Sequence, residues 1–219
     1  MDGTLLDSMR TWNQAPRVYL KKLGIESEES LGENLFALTI ADAAGYVKEH
    51  FRLPYSVEEV VKGINQVVKD FYLTEAQLKS GALELLEYIK EKEIPMVVGT
   101  STDRDCIEAA FNRLDLNKFF GRLFTCTEVG ASKSEPNLFR EAMAFMGTDE
   151  ASTLVVEDGL YSMRTARKLG MQIAGVYDYI SRHDQEGIKE IADFYVAEGE
   201  SLWKLRDVIG CSDEGSGRS

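Results

Sequence analysis

The order of apolar and polar residues predicts an α/β protein with a parallel sheet, preceded by an all-helical block. Two observations carry the first half of that statement. From Gly81 onward, stretches with helical spacing alternate with short apolar runs, and those runs are continuous, as in strands covered on both faces. The runs also end in small hydroxylated or charged residues, as in Thr100-Ser101-Thr102 and Glu157-Asp158. The third observation carries the other half. Between about residues 9 and 75, apolar positions recur three and four apart, and no strand-like run interrupts them.

In chain order, Ser8 to about Gly24 reads as a helix with Met9, Trp12, Val18, Leu20 and Leu23 among polar residues. Pro16 inside it predicts a kink or an early boundary. Residues 27–38, 39–52 and 56–72 read as three more helices. The last is the clearest, with Val57, Val60, Val61, Ile64, Val67, Val68 and Phe71 on one face behind a Ser56 cap and Glu59. After Gly81 come a helix (82–93), the run Ile94 to Thr100, a helix (103–113), a strand (122–126) and a helix (136–146). Then follow a strand (153–156), a helix (160–169), a strand (171–176) and a closing unit of strand 194–196 and helix 200–208. The remainder, 210–219, is polar and Gly/Ser-rich and is expected to be a disordered tail.

Composition narrows the function classes. At 219 residues the chain holds one sizeable core, or a core domain with a smaller insertion. A formal net charge of −12 argues against nucleic acid as a partner, because neutralising phosphates takes a basic stripe. No apolar run approaches the roughly 20 residues of a membrane span, and no signal peptide leads the chain, so no membrane partner is expected. Cys106, Cys126 and Cys211 are odd in number and lack metal-ligand spacing, which suits a reduced, cytoplasmic setting.

Polar groups at strand ends are the candidate chemistry, since ligands of open α/β sheets bind outside the carboxyl ends of strands. Thr100 and Ser101, at a helix start, offer hydroxyl and backbone N–H groups to a phosphate. Lys133 is a loop cation that suits a phosphate or a carboxylate. Glu157 and Asp158 are adjacent acids suited to a hard cation such as Mg²⁺. Taken one by one, each has a plainer use as a helix cap, a solvated lysine or an acidic turn.

The opening Met1-Asp2-Gly3-Thr4-Leu5-Leu6-Asp7-Ser8, followed in order by Thr100, Lys133 and Glu157-Asp158, resembles the haloacid dehalogenase superfamily of phosphotransferases. The wording around these residues is similar to the subgroup of phosphoglycolate phosphatase and β-phosphoglucomutase. The resemblance covers about residues 1–208. It implies a Rossmann-like parallel sheet core, residues 1–8 and 76–209, with an inserted helical cap domain, residues 9–75. In such a loop, Asp2 is the general acid/base, and the nucleophilic Asp lies two positions earlier, one residue before Met1. The first core strand is likewise missing from the chain as written. Its two neighbours are therefore expected to show unpaired edges. Ser134, Gly159 and Ser162 also depart from the subgroup's usual Pro, Ser and Gly.

The resemblance implies a Mg²⁺-dependent phosphatase of a small phosphorylated metabolite, working through an aspartyl-phosphate. Asp2 and Lys133 are its catalytic residues. Thr100, Ser101 and Lys133 bind phosphate, and Asp2 (through its backbone carbonyl), Glu157 and Asp158 bind the metal. Trp12, Asn13, Thr39 and Asp42 are candidate substrate contacts in the cap. Trp12 has a more natural place in the cap core. One alternative is a sugar-phosphate mutase, but Ile40 lies where those enzymes carry an arginine for a second phosphate. The other is a non-catalytic phosphate- and metal-binding protein, should the chain start at Met1.

Overall fold

The helical spacing of the first third is realised as α1 (Met9–Lys22), α2 (Leu31–Leu35), α3 (Ile40–His50) and α4 (Val57–Thr74). Then follow α5 (Ala82–Glu91), β1 (Val97–Thr100), α6 (Arg104–Arg113), β2 (Arg122–Thr125), α7 (Cys126–Val129), α8 (Asn137–Met146) and β3 (Leu154–Glu157). The chain continues through α9 (Leu160–Leu169), β4 (Gln172–Val176), α10 (Gln185–Ile191), β5 (Phe194–Val196) and α11 (Arg206–Ile209). This computed structural model describes residues 1–35 and 38–209. The expected tail 210–219, Cys211 and the end of the expected helix 27–38 fall partly or wholly outside the described residues.

The chain divides into two compact units. One holds Met1–Asp7, Gln77–Arg104 and the chain from Leu114 on; the other holds Ser8–Ala76 and Asp105–Arg113. In the helical unit, Ala15, Tyr19 and Leu20 of α1, Ala44 and Val47 of α3, and Val60, Ile64 and Val68 of α4 are buried. The Ser56–Glu59 capping box expected at the start of α4 is present in both directions.

In the α/β unit every strand pairing is parallel. β1 lies beside β2, from Val97 opposite Arg122 to Thr100 opposite Thr125. β4 lies between β3 and β5. Successive β4 side chains point to opposite faces. Ala174 and Val176 pack with Leu85 and Ile89 of α5, while Ile173 packs with Met143 of α8, Met163 of α9 and Ile188 of α10. The three-stranded sheet is thus covered on both sides, which is why its strands read as unbroken apolar runs.

The two sheets stay separate: among the described residues β1 pairs only with β2, and β3 only with β4. Between them lies an apolar cavity of about 540 Å³ lined by Val97–Gly99 and Leu154–Glu157, with Lys133 and Met1 also on its wall. The side chains of Leu154, Val155 and Val156 are only half-buried, whereas Ile173, Ala174 and Val176 on β4 are fully buried.

Several boundaries differ from the sequence reading. α1 runs through Pro16 without ending there. Pro16 is buried with Ala15, Tyr19 and Leu20, so packing offsets the hydrogen bond it forgoes. Within 27–38 only Leu31–Leu35 is helical among the described residues. Residues 200–208 form a 3-10 turn, Leu202–Leu205, before the short α11. α10 had no counterpart in the sequence reading.

Candidate active site

The first four residues form a tight loop that is tied to the ends of two strands. The Met1 carbonyl accepts from the N–H groups of Leu5 (2.8 Å) and Leu6 (3.0 Å), and the Gly3 N–H donates to Leu6 O at 3.0 Å. Gly3 has φ +70°, and a Cβ there would sit 2.2 Å from Asp158 Oδ2, so any other residue would strain the turn and displace that carboxylate. Thr4 is buried, and its Oγ1 donates to Asp158 Oδ1 at 2.6 Å. Thr102, just past β1, donates from Oγ1 to Asp2 Oδ2 at 2.8 Å. One loop therefore carries Asp2, grips Asp158 at the end of β3, and is held in turn from the end of β1.

Lys133 and Glu157 form a buried ion pair, Nζ to Oε1 at 2.5 Å. The other carboxylate oxygen, Oε2, accepts from the N–H groups of Asp158 (2.8 Å) and Gly159 (3.2 Å). Burial alone would lower the Lys133 ammonium, but the charge and hydrogen bond of Glu157 outweigh it and hold it above its usual range. Burial likewise works to raise Glu157, yet Lys133 and the chain's amino terminus hold it well below the carboxylate range. Both oxygens of Glu157 are thus engaged. It is the counter-ion of Lys133, and a part for it at the metal, expected from the sequence as adjacent or through water, is not shown by this arrangement.

Asp158 behaves in the opposite way. Burial first, and the Glu157 charge second, push its carboxyl up to about 7, with the Thr4 hydrogen bond acting against them. A buried carboxylate raised in this way is a strong site for a cation. Among the described residues, no three His, Cys, Asp or Glu side chains converge as a ready-made metal cage. Mg²⁺ does not need one, since it is commonly held by one or two carboxylates together with substrate phosphate and water. The donor set of Asp158 and the Asp2 loop, brought together by the absent Cβ of Gly3, fits that description.

Thr100 ends β1, is 2% exposed, and its Oγ1 accepts the Thr102 N–H at 3.1 Å. Ser101 is exposed beside it, and its Oγ lies 3.4 Å from Cys126 Sγ. In the helical unit Trp12, Thr39 and Asp42, three of the expected substrate contacts, have partners of their own. Trp12 Nε1 donates to the buried Tyr72 hydroxyl at 3.0 Å, the plainer core placement. Thr39 caps α3, accepting from Asp42 N and donating to Asp42 Oδ2 at 2.6 Å. Asn13 is buried, and its Oδ1 has no hydrogen-bond partner.

Four residues of the α/β unit were missed by the sequence reading. Thr4 and Thr102 are hydroxyls that hold Asp158 and Asp2. Lys79 and Asp178 form an ion pair at 3.0 Å, with Lys79 Nζ also donating to Tyr177 O at 2.8 Å. Asp178 is 5% exposed and acts on the Asp158 carboxyl, helping to raise it. It follows the apolar run of β4, so the strand-end rule that singled out Asp158 had the means to find it.

Comparison with known proteins places these residues in context. Residues 1–176 match the family described as haloacid dehalogenase-like hydrolase. A Drosophila melanogaster protein, provisionally named a pseudouridine-5'-phosphatase, is 27% identical over 205 residues, covering 89% of this chain and 88% of the relative. A phosphorylated carbohydrates phosphatase of Thermotoga maritima is 24% identical over 212 residues, covering 95% and 97%. A solved structure from the same organism, provisionally named a beta-phosphoglucomutase, superposes with a TM-score of 0.84 at 23% identity over 95% of each chain. At that identity the likeness speaks for the fold.

Proposed function

The chain belongs to the haloacid dehalogenase-like hydrolases, and from that premise we propose a Mg²⁺-dependent phosphatase that hydrolyses a small phosphomonoester through an aspartyl-phosphate. The observation that carries this reading is the loop Met1–Thr4, which joins Asp2 to Thr102 and Asp158 to Thr4 at the ends of β1 and β3. An acid/base, a cation-binding carboxylate, a lysine and a buried threonine are the parts that phosphoryl transfer asks for. The substrate is a small phosphorylated metabolite, a sugar or short-chain monophosphate, and the setting is the reduced cytoplasm.

Each residue has a role in that reading. Attack on phosphorus by a carboxylate, through an aspartyl-phosphate, divides one difficult displacement into two. The Asp2 carboxyl gives its proton to the leaving alkoxide and later takes one from the water that cleaves the acyl phosphate. The Lys133 ammonium, kept charged and aimed by Glu157, binds the phosphoryl oxygens together with Thr100 and Ser101. Asp158 and the Asp2 backbone carbonyl would hold Mg²⁺, which when bound offsets the negative charge gathered around the phosphoryl group. The unit Ser8–Ala76 is, in this reading, the cap that bears on substrate choice, with Trp12, Thr39 and Asp42 as its candidate contacts.

The test is phosphate release from a panel of monophosphates. Asp158→Ala is expected to abolish Mg²⁺-dependent turnover. Undiminished turnover in that variant after Mg²⁺ is removed would refute the assignment. Conversion of β-glucose 1-phosphate to glucose 6-phosphate faster than phosphate appears would point instead to a mutase. Ile40, half-exposed at the start of α3 and unable to bind a second phosphate, supports hydrolysis over that alternative.

A further inference from the structure

Helix α9 starts directly after Gly159, and Tyr161 stands half-exposed in its first turn. Helical side chains lean back toward the helix N-terminus. Here that direction lays the Tyr161 ring against Gly159, next to Asp158: a Cβ added to Gly159 would sit 2.9 Å from Tyr161 Cε1 and 3.4 Å from Cδ1. Gly159 has φ −96° and ψ 116°, a conformation open to any residue. Its backbone therefore does not call for glycine; the ring lying against it does.

The phenol so placed meets groups with a part in the proposed site. Burial is the largest influence on it and raises it above its ordinary value; the Lys133 ammonium and the Ser101 side chain act against that, and the charges of Glu157 and Asp158 act with it. The hydroxyl keeps its proton at neutral pH and is able to donate it in a hydrogen bond.

We infer that Tyr161 is a further phosphate-binding residue, whose phenolic O–H donates to an oxygen of the phosphoryl group held by Ser101 and Lys133. This rests on the proposed function, in which those two residues bind phosphate. The charges around the site favour a neutral donor. Lys133 is already matched by Glu157 at 2.5 Å, so the pair brings no net positive charge to a phosphate dianion. A hydroxyl adds a hydrogen bond without a charge that must itself be balanced, and a bond to a charged acceptor is stronger than one between neutral groups. Ser101 brings such a donor from the end of β1, and Tyr161 brings another from the first turn after β3.

Calorimetric titration with inorganic phosphate in the presence of Mg²⁺ tests this without requiring turnover. Tyr161→Phe keeps the ring and removes only the hydroxyl. It is expected to weaken phosphate binding by about tenfold, as for loss of a hydrogen bond to a charged group. Gly159→Ala is expected to weaken binding as well, because the added Cβ moves the ring. Gly159→Ala combined with Tyr161→Phe should bind phosphate as Tyr161→Phe does alone, since the hydroxyl is already gone. A purely structural role predicts otherwise, because a displaced ring would then weaken binding whether or not it carries a hydroxyl.

Ser101→Ala and Lys133→Met report on the site itself. A loss of less than about fivefold in Tyr161→Phe, while either of those variants weakens binding, overturns the inference and leaves the site in place. A double variant that binds more weakly than Tyr161→Phe does the same. No phosphate binding by the unmodified protein, or binding that neither Ser101→Ala nor Lys133→Met weakens, overturns the proposed site and the inference with it.

Discussion

Replacing Lys133 by Met removes one half of the ion pair on which the proposed site is built. Lys133 and Glu157 are only 8% and 5% exposed, and this decides the size of the effect. A solvent-exposed pair is worth about 0.2–1 kcal/mol. Removing one partner of a buried pair costs roughly 3–5 kcal/mol, because the other charge is left without its counter-ion. Glu157 keeps the N–H groups of Asp158 and Gly159 on Oε2, so the residual carboxylate is half-satisfied and the lower end of that range applies. For a protein of this size, about 3 kcal/mol corresponds to a fall in Tm of roughly 6–12 °C.

The double variant Lys133→Met/Glu157→Gln removes both charges. It is expected to recover most of the lost Tm, since a buried pair replaced as a unit is often neutral. Turnover should not recover with it, because the ammonium proposed to bind the phosphoryl oxygens is still absent; a loss of about 10²–10³ in kcat is expected to persist. Thermal melts of the unmodified protein, both single variants and the double variant complete the cycle. A Lys133→Met variant that melts within about 2 °C of the unmodified protein would refute the reasoning. So would a double variant whose loss equals the sum of the two single losses.

Three other perturbations test neighbouring parts of the site. Thr4→Val leaves Asp158 without its hydroxyl donor, and a hydrogen bond to a charged group is worth about 1.5–3 kcal/mol, so the Mg²⁺ concentration for half-maximal activity should shift by roughly tenfold or more; Thr4→Ser should not shift it. Asp158 has a folded-state pKa raised to about 7, so its protonated form stabilises the metal-free fold at low pH and that contribution is lost as pH climbs from about 4 through 7. Melts in a chelator should therefore show Tm falling across that window, with Asp158→Asn flattening the slope and an unchanged slope counting against the assignment. Joining to Met1 an apolar segment of four or five residues that ends in Asp should raise Tm, as it can pair with the free edges of β1 and β3 and fill the cavity between them. A Tm that does not rise would mean that the slot does not take a strand.

The sheet was legible because its strands obey a rule that reads on one residue at a time. β4 is buried on both faces, by α5 on one side and by α8, α9 and α10 on the other, so Ile173 to Val176 can only be apolar. Helix ends were legible where the cap is local, as with Ser56 and Glu59. They were not legible where packing decides. Pro16 reads as a breaker, and nothing in its neighbours announces that Ala15, Tyr19 and Leu20 bury it inside a continuous helix. The region 200–208 has helical spacing, but four of its residues close as a 3-10 turn before a short α11.

Within the site, the limit of the sequence was which residue each polar group would meet. Asp2, Thr100, Lys133 and Asp158 stand out because each follows a strand or a signature loop. Glu157 stands out for the same reason, and spacing assigned it alongside Asp158 as a metal ligand. The two acids differ only through groups distant in sequence. Glu157 meets Lys133 and two backbone donors, which hold its carboxylate ionised and fully engaged. Asp158 meets Thr4 across 154 positions, together with the charges of Glu157 and Asp178, and its carboxyl is pushed up. Adjacent carboxylates are thus driven in opposite directions, one held ionised by a buried lysine and the other raised by burial and by its neighbour's charge. The two hydroxyls that complete the arrangement, Thr4 and Thr102, are unremarkable in the sequence. Each acts on a carboxylate supplied by a segment far along the chain, so only the folded loop could reveal them.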